Sequence, residues 1–216
     1  MTDFDQMTDE EIEAYLAEKE QPQERQAARG AREFAIVMII AGVLGLVASV
    51  ELLLSELALR ADPAASLYCD VNALLACSTF LTSWEGSLLG FPNSYVGIAG
   101  FAALIGLGIY LLIKKSLPRV MWIIVGIAAV VSFMALLWFQ YTSFIVARTI
   151  CPWCLVIWSA LIPFITQSAG QVHANLSGKE SAIWRYRWAI IAVWYAIVIV
   201  FALVYFWDLL SSIYGW

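Results

Sequence analysis

Charge is scarce in this chain. Asp, Glu, Lys and Arg make up 13% of its 216 residues, about half the share of a soluble domain. Hydrophobic residues make up 62%, and the mean hydropathy is +0.80. A soluble globular domain is excluded. Basic residues give no surplus either: the net charge is -5 and the pI about 4.8, so no basic face points to a nucleic-acid partner. The acidity is local, since the first 33 residues hold ten Asp/Glu against four Lys/Arg. Histidine is nearly absent, with His173 alone, and cysteine is limited to four. A zinc site of four Cys or His ligands would therefore have to take all four cysteines, and no metal is expected. No internal repeat or low-complexity tract occurs. The acidic start carries no apolar run before residue 33, so a cleavable signal peptide is not expected and the first span is retained.

What the chain does have is long apolar runs. Five reach the length of about 20 residues that spans a bilayer: Phe34–Leu54, Tyr95–Ile113, Val120–Gln140, Cys151–Ala169 and Trp188–Trp207. The expected fold is an all-α membrane protein, a four-helix transmembrane bundle with a fifth transmembrane helix and an extracytoplasmic loop or lid. Its parts are an acidic cytoplasmic tail (1–33), a redox core (34–170) with an outside loop (55–94), a cytoplasmic connection (171–187), and the fifth helix with the C-terminus (188–216). In the tail, Thr8-Asp9-Glu10-Glu11 reads as a helix start, followed by a mobile stretch to about Gly30. Gly97, Gly100, Gly106 and Gly108 in the second span are expected to let helices approach closely.

Basic residues near span ends mark the cytoplasmic side. Lys19, Arg25, Arg29, Arg32, Lys114, Lys115, Arg119, Lys179, Arg185 and Arg187 fall in one alternating set of segments, and only Arg60 and Arg148 in the other. The N-terminus is thus expected inside, in a multi-pass protein of the cell membrane, with all four cysteines outside. Disulfides persist in that compartment. Four inert buried thiols would not require this sidedness.

The cysteines fall into two pairs. Cys69 and Cys77 have C-x7-C spacing in the long outside loop, where a local disulfide is feasible. The loop continues through Ser83, Trp84 and Leu88–Pro92, too apolar for free solvation, and is expected to lie on the membrane surface. Trp84 suits either an interface anchor or a cover over a ligand. The second pair is Cys151-Pro152-Trp153-Cys154. Proline favours the first helical position, which makes Cys151 the N-cap, where unpaired N–H groups and the helix dipole favour thiolate. Cys154 follows one turn deeper. Two such pairs at one boundary are the minimum equipment for passing electrons from a soluble dithiol to an acceptor in the lipid.

The order of these motifs resembles the vitamin K epoxide reductase family over about residues 34–170: the C-x7-C loop after the first span, Cys77-Ser78 continuing to Ser83-Trp84, Asn93-Ser94 opening the second span, and Cys151-Pro152-Trp153-Cys154 opening the fourth. The resemblance implies an oxidoreductase that takes electrons from a separate thioredoxin-fold protein of the DsbA kind and passes them to a quinone of the menaquinone or ubiquinone type, supporting disulfide bond formation. It implies that Cys69 exchanges with the partner, Cys77 relays to Cys151, and Cys154 adjoins the quinone. It also implies that Asn93 hydrogen-bonds a quinone oxygen and that Ser83 stands beside the loop thiols. Trp158 replaces the tyrosine of animal members, which favours plain quinone reduction, because an indole N–H donates but cannot accept. Taken alone, Asn93 reads as a helix cap and Trp158 as a lipid-facing anchor. Glu51, Glu56, Gln140 and Tyr141 are polar candidates for proton transfer. Two rivals remain: a DsbB-type quinone-linked thiol oxidase, which normally has four spans and an earlier C-x-x-C, and a non-enzymatic membrane subunit with structural disulfides.

Overall fold

The computed structural model describes residues 9–72, 74–178 and 181–215. Thr8, the expected helix cap, lies outside them. Within the bilayer no water can satisfy backbone N–H and C=O groups, so long apolar runs close their hydrogen bonds internally as helices. Among the described residues, five helices have the length and composition to cross a membrane: Gly30–Ala61, Asn93–Lys114, Arg119–Ala147, Pro152–Ser177 and Arg187–Tyr205.

The first span is the C-terminal part of α1 (Asp9–Ala61), which runs without interruption through the stretch expected to be mobile. It also outruns its expected end at Leu54 by seven residues. The extra turns carry Glu56 and Arg60, whose side chains pair at 2.8 Å one turn apart, an arrangement that supports a helix beyond its apolar run. The loop accordingly begins at Asp62. It holds the short helix α2 (Ser78–Leu81) and a 3-10 turn (Trp84–Ser87) before α3 (Asn93–Lys114) begins. Next comes α4 (Arg119–Tyr141), which widens into a π turn (Thr142–Ala147). Proline occupies the first turn of α5 (Pro152–Ser177), and Gly178, at φ 68°, ends it in the left-handed conformation suited to a glycine cap. This helix passes the expected end at Ala169 because a cap, rather than the limit of hydropathy, terminates it. After α6 (Ala182–Arg185), α7 (Arg187–Tyr205) recrosses, and a further short helix, α8 (Trp207–Tyr214), follows.

The bundle forms around α1, which packs along α3 and α5, while α4 packs against α5. Phe34, Met38, Leu104, Leu111, Trp122 and Phe164 fill its core. Close approach of α1 and α3 depends on glycines from both helices. A Cβ on Gly45 would overlap the Phe101 ring, and one on Gly108 would stand 3.0 Å from the Ala35 carbonyl oxygen. Gly97 likewise adjoins the Ser49 hydroxyl, but Gly100 and Gly106 face open space and do not serve the contact expected of them. The fifth span is peripheral, with Val193, Ile197, Val200 and Val204 exposed. It is still tied in at both ends. Arg187 donates to Glu33 at 2.8 Å and stacks on Trp184 at 4.2 Å, and Phe206 is buried against Phe144. Trp194 meets Phe133 edge-on, and the Tyr195 hydroxyl donates to the Ser159 carbonyl at 2.7 Å, so neither is a simple lipid anchor.

Candidate active site

Both cysteine pairs lie at the end of the bundle where α1 finishes and α5 begins. Cys69 and Cys77 form a disulfide with Cα atoms 5.8 Å apart, and Cys151 and Cys154 are free thiols. The Sγ atoms of Cys77 and Cys151 stand 3.4 Å apart. This contact joins the pairs across 74 residues. Leu52, Leu67, Leu59 and Leu81 pack around the sulfurs. Cys77 and Cys151 are sealed from solvent, and Cys69 is only 3% exposed.

Backbone hydrogen bonds impose the sulfur contact. Leu75 and Ile150 form a parallel β-bridge, in which the Ile150 N–H donates to the Leu74 carbonyl at 2.8 Å and the Ala76 N–H to the Ile150 carbonyl at 3.2 Å. Ala76 and Ile150 immediately precede Cys77 and Cys151. The Asn72 side-chain oxygen folds the loop behind them by accepting from the N–H groups of Leu74 and Leu75. Asp70 then anchors Cys77 itself, since its carboxylate accepts from the Cys77 and Ser78 N–H groups at 2.6 and 3.0 Å. That places a negative side chain on the unpaired donors that open α2. On the other side, Ser143 bonds the Thr149 carbonyl at 2.6 Å and holds the chain leaving the π turn.

Burial pushes the Asp70 carboxyl up, but hydrogen bonds from Ser78 and Cys77 outweigh it and hold the group below its ordinary 3.8. A carboxyl depressed on folding stabilises the fold above its unfolded value, and that stabilisation is lost as pH falls through the folded value. Amide protection of Cys77 and Ser78 in hydrogen exchange is therefore expected to persist at neutral pH and fail only in acid, below about pH 4. Asp70→Asn should abolish the transition, and an unchanged profile in that variant would contradict the anchor.

Cys151 caps α5 with extended backbone, φ -81° and ψ 123°. It directly precedes the span Pro152–Ser177. A hydrogen bond from the Cys154 thiol, followed by the N–H groups of Cys154 and Trp153, holds its thiol below the ordinary cysteine range, although burial opposes the shift. A thiolate is favoured at the sulfur that faces Cys77, as exchange requires.

Beyond Cys154 lies a cavity of about 670 Å³ between α1, α3, α4 and α5, with the 80–89 segment as one wall. Phe101, Leu104, Leu136, Phe139 and Leu161 make it apolar; Cys154, Ser49 and Asn93 are among its few polar groups. Trp158 lines it one turn past Cys154. It is buried and packs on Phe144 at 5.8 Å, so it is not lipid-facing. The Asn93 side chain is already engaged, donating to the Glu85 carbonyl at 2.6 Å and accepting from the Leu88 N–H at 3.1 Å. It staples the 3-10 turn to the head of α3 and keeps one proton and one lone pair for a ligand. Ser83 and Trp84 do not line the cavity. Ser83 donates to the Phe80 carbonyl at 2.8 Å, while Trp84 is 65% exposed and meets Trp138 edge-on. Of Asn93, Ser83, Trp84 and Trp158, the structure brings Asn93 and Trp158 to the cavity.

The remaining polar candidates also separate. Glu51 accepts from the Tyr68 hydroxyl. Glu56 is buried, with one carboxylate oxygen on Arg60 and the other without a partner among the described residues. Gln140 is buried and Tyr141 exposed, and neither lines the cavity. Cys69, Asp70 and Cys77 bring ligand-type atoms within 4.8 Å of one another, but here the sulfurs are bonded together and the carboxylate is held by two N–H groups. Sequence reasoning missed Asp70, Asn72, Tyr68 and the Leu75–Ile150 bridge. For Asp70 and Asn72, side chains prone to turn and cap formation were an available signal; for the bridge there was none.

A model of the vitamin K epoxide reductase family matches residues 36–169 of the chain. No curated protein aligns with it significantly.

Proposed function

The chain belongs to the vitamin K epoxide reductase family and is a multi-pass membrane thiol-disulfide oxidoreductase; from that premise we propose that it oxidises a soluble thioredoxin-fold dithiol of the DsbA kind outside the cell membrane and delivers the electrons to a membrane quinone. The observation that carries this reading is the 3.4 Å approach of Cys77 to Cys151, which joins a pair in a loop to a pair beside a lipid-level cavity. Cys69, Cys77, Cys151 and Cys154 are the reacting residues.

A partner thiolate attacks Cys69, the Cys69–Cys77 bond breaks, and Cys77 leaves as thiolate. The second partner thiol displaces Cys69, so the partner departs as a disulfide and the loop pair is left reduced. The Cys77 thiolate then attacks Cys151 of a Cys151–Cys154 disulfide, and Cys154 leaves as thiolate. Attack of Cys69 on Cys77 closes the loop disulfide again and frees Cys151. The arrangement observed, with the loop pair joined and the other two thiols free, corresponds to this stage. Quinone supplies an acceptor of two electrons and two protons, which returns the second pair to a disulfide. About 30 mV in a two-electron couple corresponds to 1.4 kcal/mol, so a modestly higher acceptor potential sets the direction.

The cavity suits a flat ring with an apolar tail. Its wall is apolar, Cys154 stands on it, and the Ser49 hydroxyl beside it has no hydrogen-bond partner among the described residues. Asn93 and Trp158 would orient the ring, and the lid formed by Ser83, Trp84 and their neighbours would exclude water. The distribution of basic residues supports a cysteine end outside the cytoplasm.

The test is purified protein with a reduced thioredoxin-fold donor and a short-chain quinone. Quinol should form one-to-one with donor disulfide. Thiols that never cycle under these conditions would instead support the structural-disulfide reading, and a membrane-impermeant maleimide that labels the reduced cysteines only from inside the cell would overturn the proposed orientation.

A further inference from the structure

The disulfide that must receive a soluble partner is closed to it. Cys69 is 3% exposed, whereas a thiolate must reach its sulfur along the S–S axis. The loop therefore has two tasks with opposite requirements. It must open for Cys69 to meet the partner and close for Cys77 to meet Cys151.

Three side chains from three separate segments bind the loop in the closed position. The Trp153 indole N–H donates to the Tyr68 hydroxyl at 3.1 Å, and that hydroxyl donates in turn to the Glu51 carboxylate. The Tyr68 and Trp153 rings also meet edge-on, with centroids 6.4 Å apart. Tyr68 immediately precedes Cys69, Trp153 lies between Cys151 and Cys154, and Glu51 belongs to α1. Tyr68 itself is 65% exposed, so ordinary core packing does not account for its position. The hydrogen bond to Glu51, reinforced by desolvation, raises the Tyr68 phenol above its ordinary value, which keeps its proton in place as the donor.

We propose that Glu51, Tyr68 and Trp153 form a latch that holds the Cys69–Cys77 loop on the head of α5, favouring exchange with Cys151 and restricting access of soluble dithiols to Cys69. They are positioning residues: none of them forms or breaks a bond in the exchange. This inference rests on the relay proposed above. In particular, it makes α1 and the residue between the paired cysteines of α5 part of the control of electron entry. Because the latch bonds are at the surface, a partner that docks over Tyr68 can replace them with its own.

The two tasks are separable by experiment. With Cys151 replaced by Ser, reduction of Cys69–Cys77 by dithiothreitol reports opening: the reagent leaves as its cyclic disulfide and the protein gains two thiols. With Cys69 and Cys154 both replaced by Ser, the rate at which diamide joins Cys77 to Cys151 reports closure. Tyr68→Phe, which keeps the ring contact, and Glu51→Ala should speed the first reaction and slow the second, each roughly three- to tenfold, the range expected for one hydrogen bond. Glu51→Gln, which can still accept, should fall between them and the parent. Opposite changes in the two reactions support the latch, since general destabilisation would not speed one and slow the other in step with the retained hydrogen bond. Unchanged rates, or changes in the same direction, overturn it. If the parent forms no Cys69–Cys77 disulfide to reduce, the relay itself is wrong and the latch falls with it.

Discussion

Cys77→Ser brings donor-dependent quinol formation to background. Its sulfur is at once a member of the loop disulfide and the atom 3.4 Å from Cys151, so without it neither a loop disulfide nor transfer to α5 remains. Serine is close in volume but is not a sulfur nucleophile. The loss should thus appear without a matching loss of fold, checked by size-exclusion elution and thermal midpoint. Replacing Cys69, Cys151 or Cys154 should be equally severe for overall turnover, while the partial reactions differ. The Cys69→Ser, Cys154→Ser double variant leaves only the two facing sulfurs, and mild oxidation should join them nearly quantitatively. Turnover surviving in Cys77→Ser, or failure of the double variant to close its disulfide, would show that the observed contact is not the route of the electrons.

The second large effect is expected at Trp158, and it divides the reaction in the other direction. This side chain is buried, packs on Phe144 and walls the cavity one turn from Cys154. Trp158→Ala should cost about 3–5 kcal/mol if the space does not refill, visible as a lower thermal midpoint. In lipid, packing rather than hydrophobic transfer holds helices together, so a vacated site is not compensated by its surroundings. The KM for quinone should rise at least about tenfold, equivalent to about 1.4 kcal/mol of lost binding. Single-turnover reduction of Cys69–Cys77 by the donor should stay near the parent rate, because that step does not use the cavity. Trp158→Phe should recover most of the loss. An unchanged KM for quinone in Trp158→Ala would remove the cavity from the acceptor side of the mechanism.

The fifth span acquires a role from the same neighbourhood. Phe144, which supports Trp158, also meets Phe201 and Phe206 at 5.3 and 5.9 Å. Arg148, at the end of the π turn, lies over Tyr205 at 6.0 Å. The segment leading into Cys151 is therefore braced from the side by α7 and the chain that follows it. Nothing in the hydropathy of the fifth run distinguishes such a brace from simple peripheral packing.

Residues that act through local geometry were legible before the fold was known. Pro152 after Cys151 marks a helix start wherever it occurs, and the structure has Cys151 at the cap and Cys154 one turn on. Asn93 alone reads as a helix cap, but Pro92 takes that position and the Asn93 side chain binds Glu85 and Leu88 instead, which depends on how the preceding turn folds back. Trp84 and Trp158 are the same residue type in similarly apolar settings, yet one is exposed at the surface and the other buried at the cavity. Side-chain chemistry could not separate them, because their difference is the presence or absence of a helix on the far side.

By itself the amino-acid sequence determined that this is a membrane protein of five membrane-length helices, with one cysteine pair in a long loop and the other at a helix head. Hydropathy, proline placement and cysteine spacing act over at most one span length, and each can be read without knowing the neighbours. Only the tertiary structure decided that Cys77 meets Cys151, that Cys69 is covered and that Trp158 faces a cavity. The first depends on the bridge from Leu75 to Ile150, the second on Leu52, Leu67 and Leu59 packing around the sulfurs, and the third on the contact of Trp158 with Phe144. The partners come from separate segments of the chain and are brought together only when the helices pack.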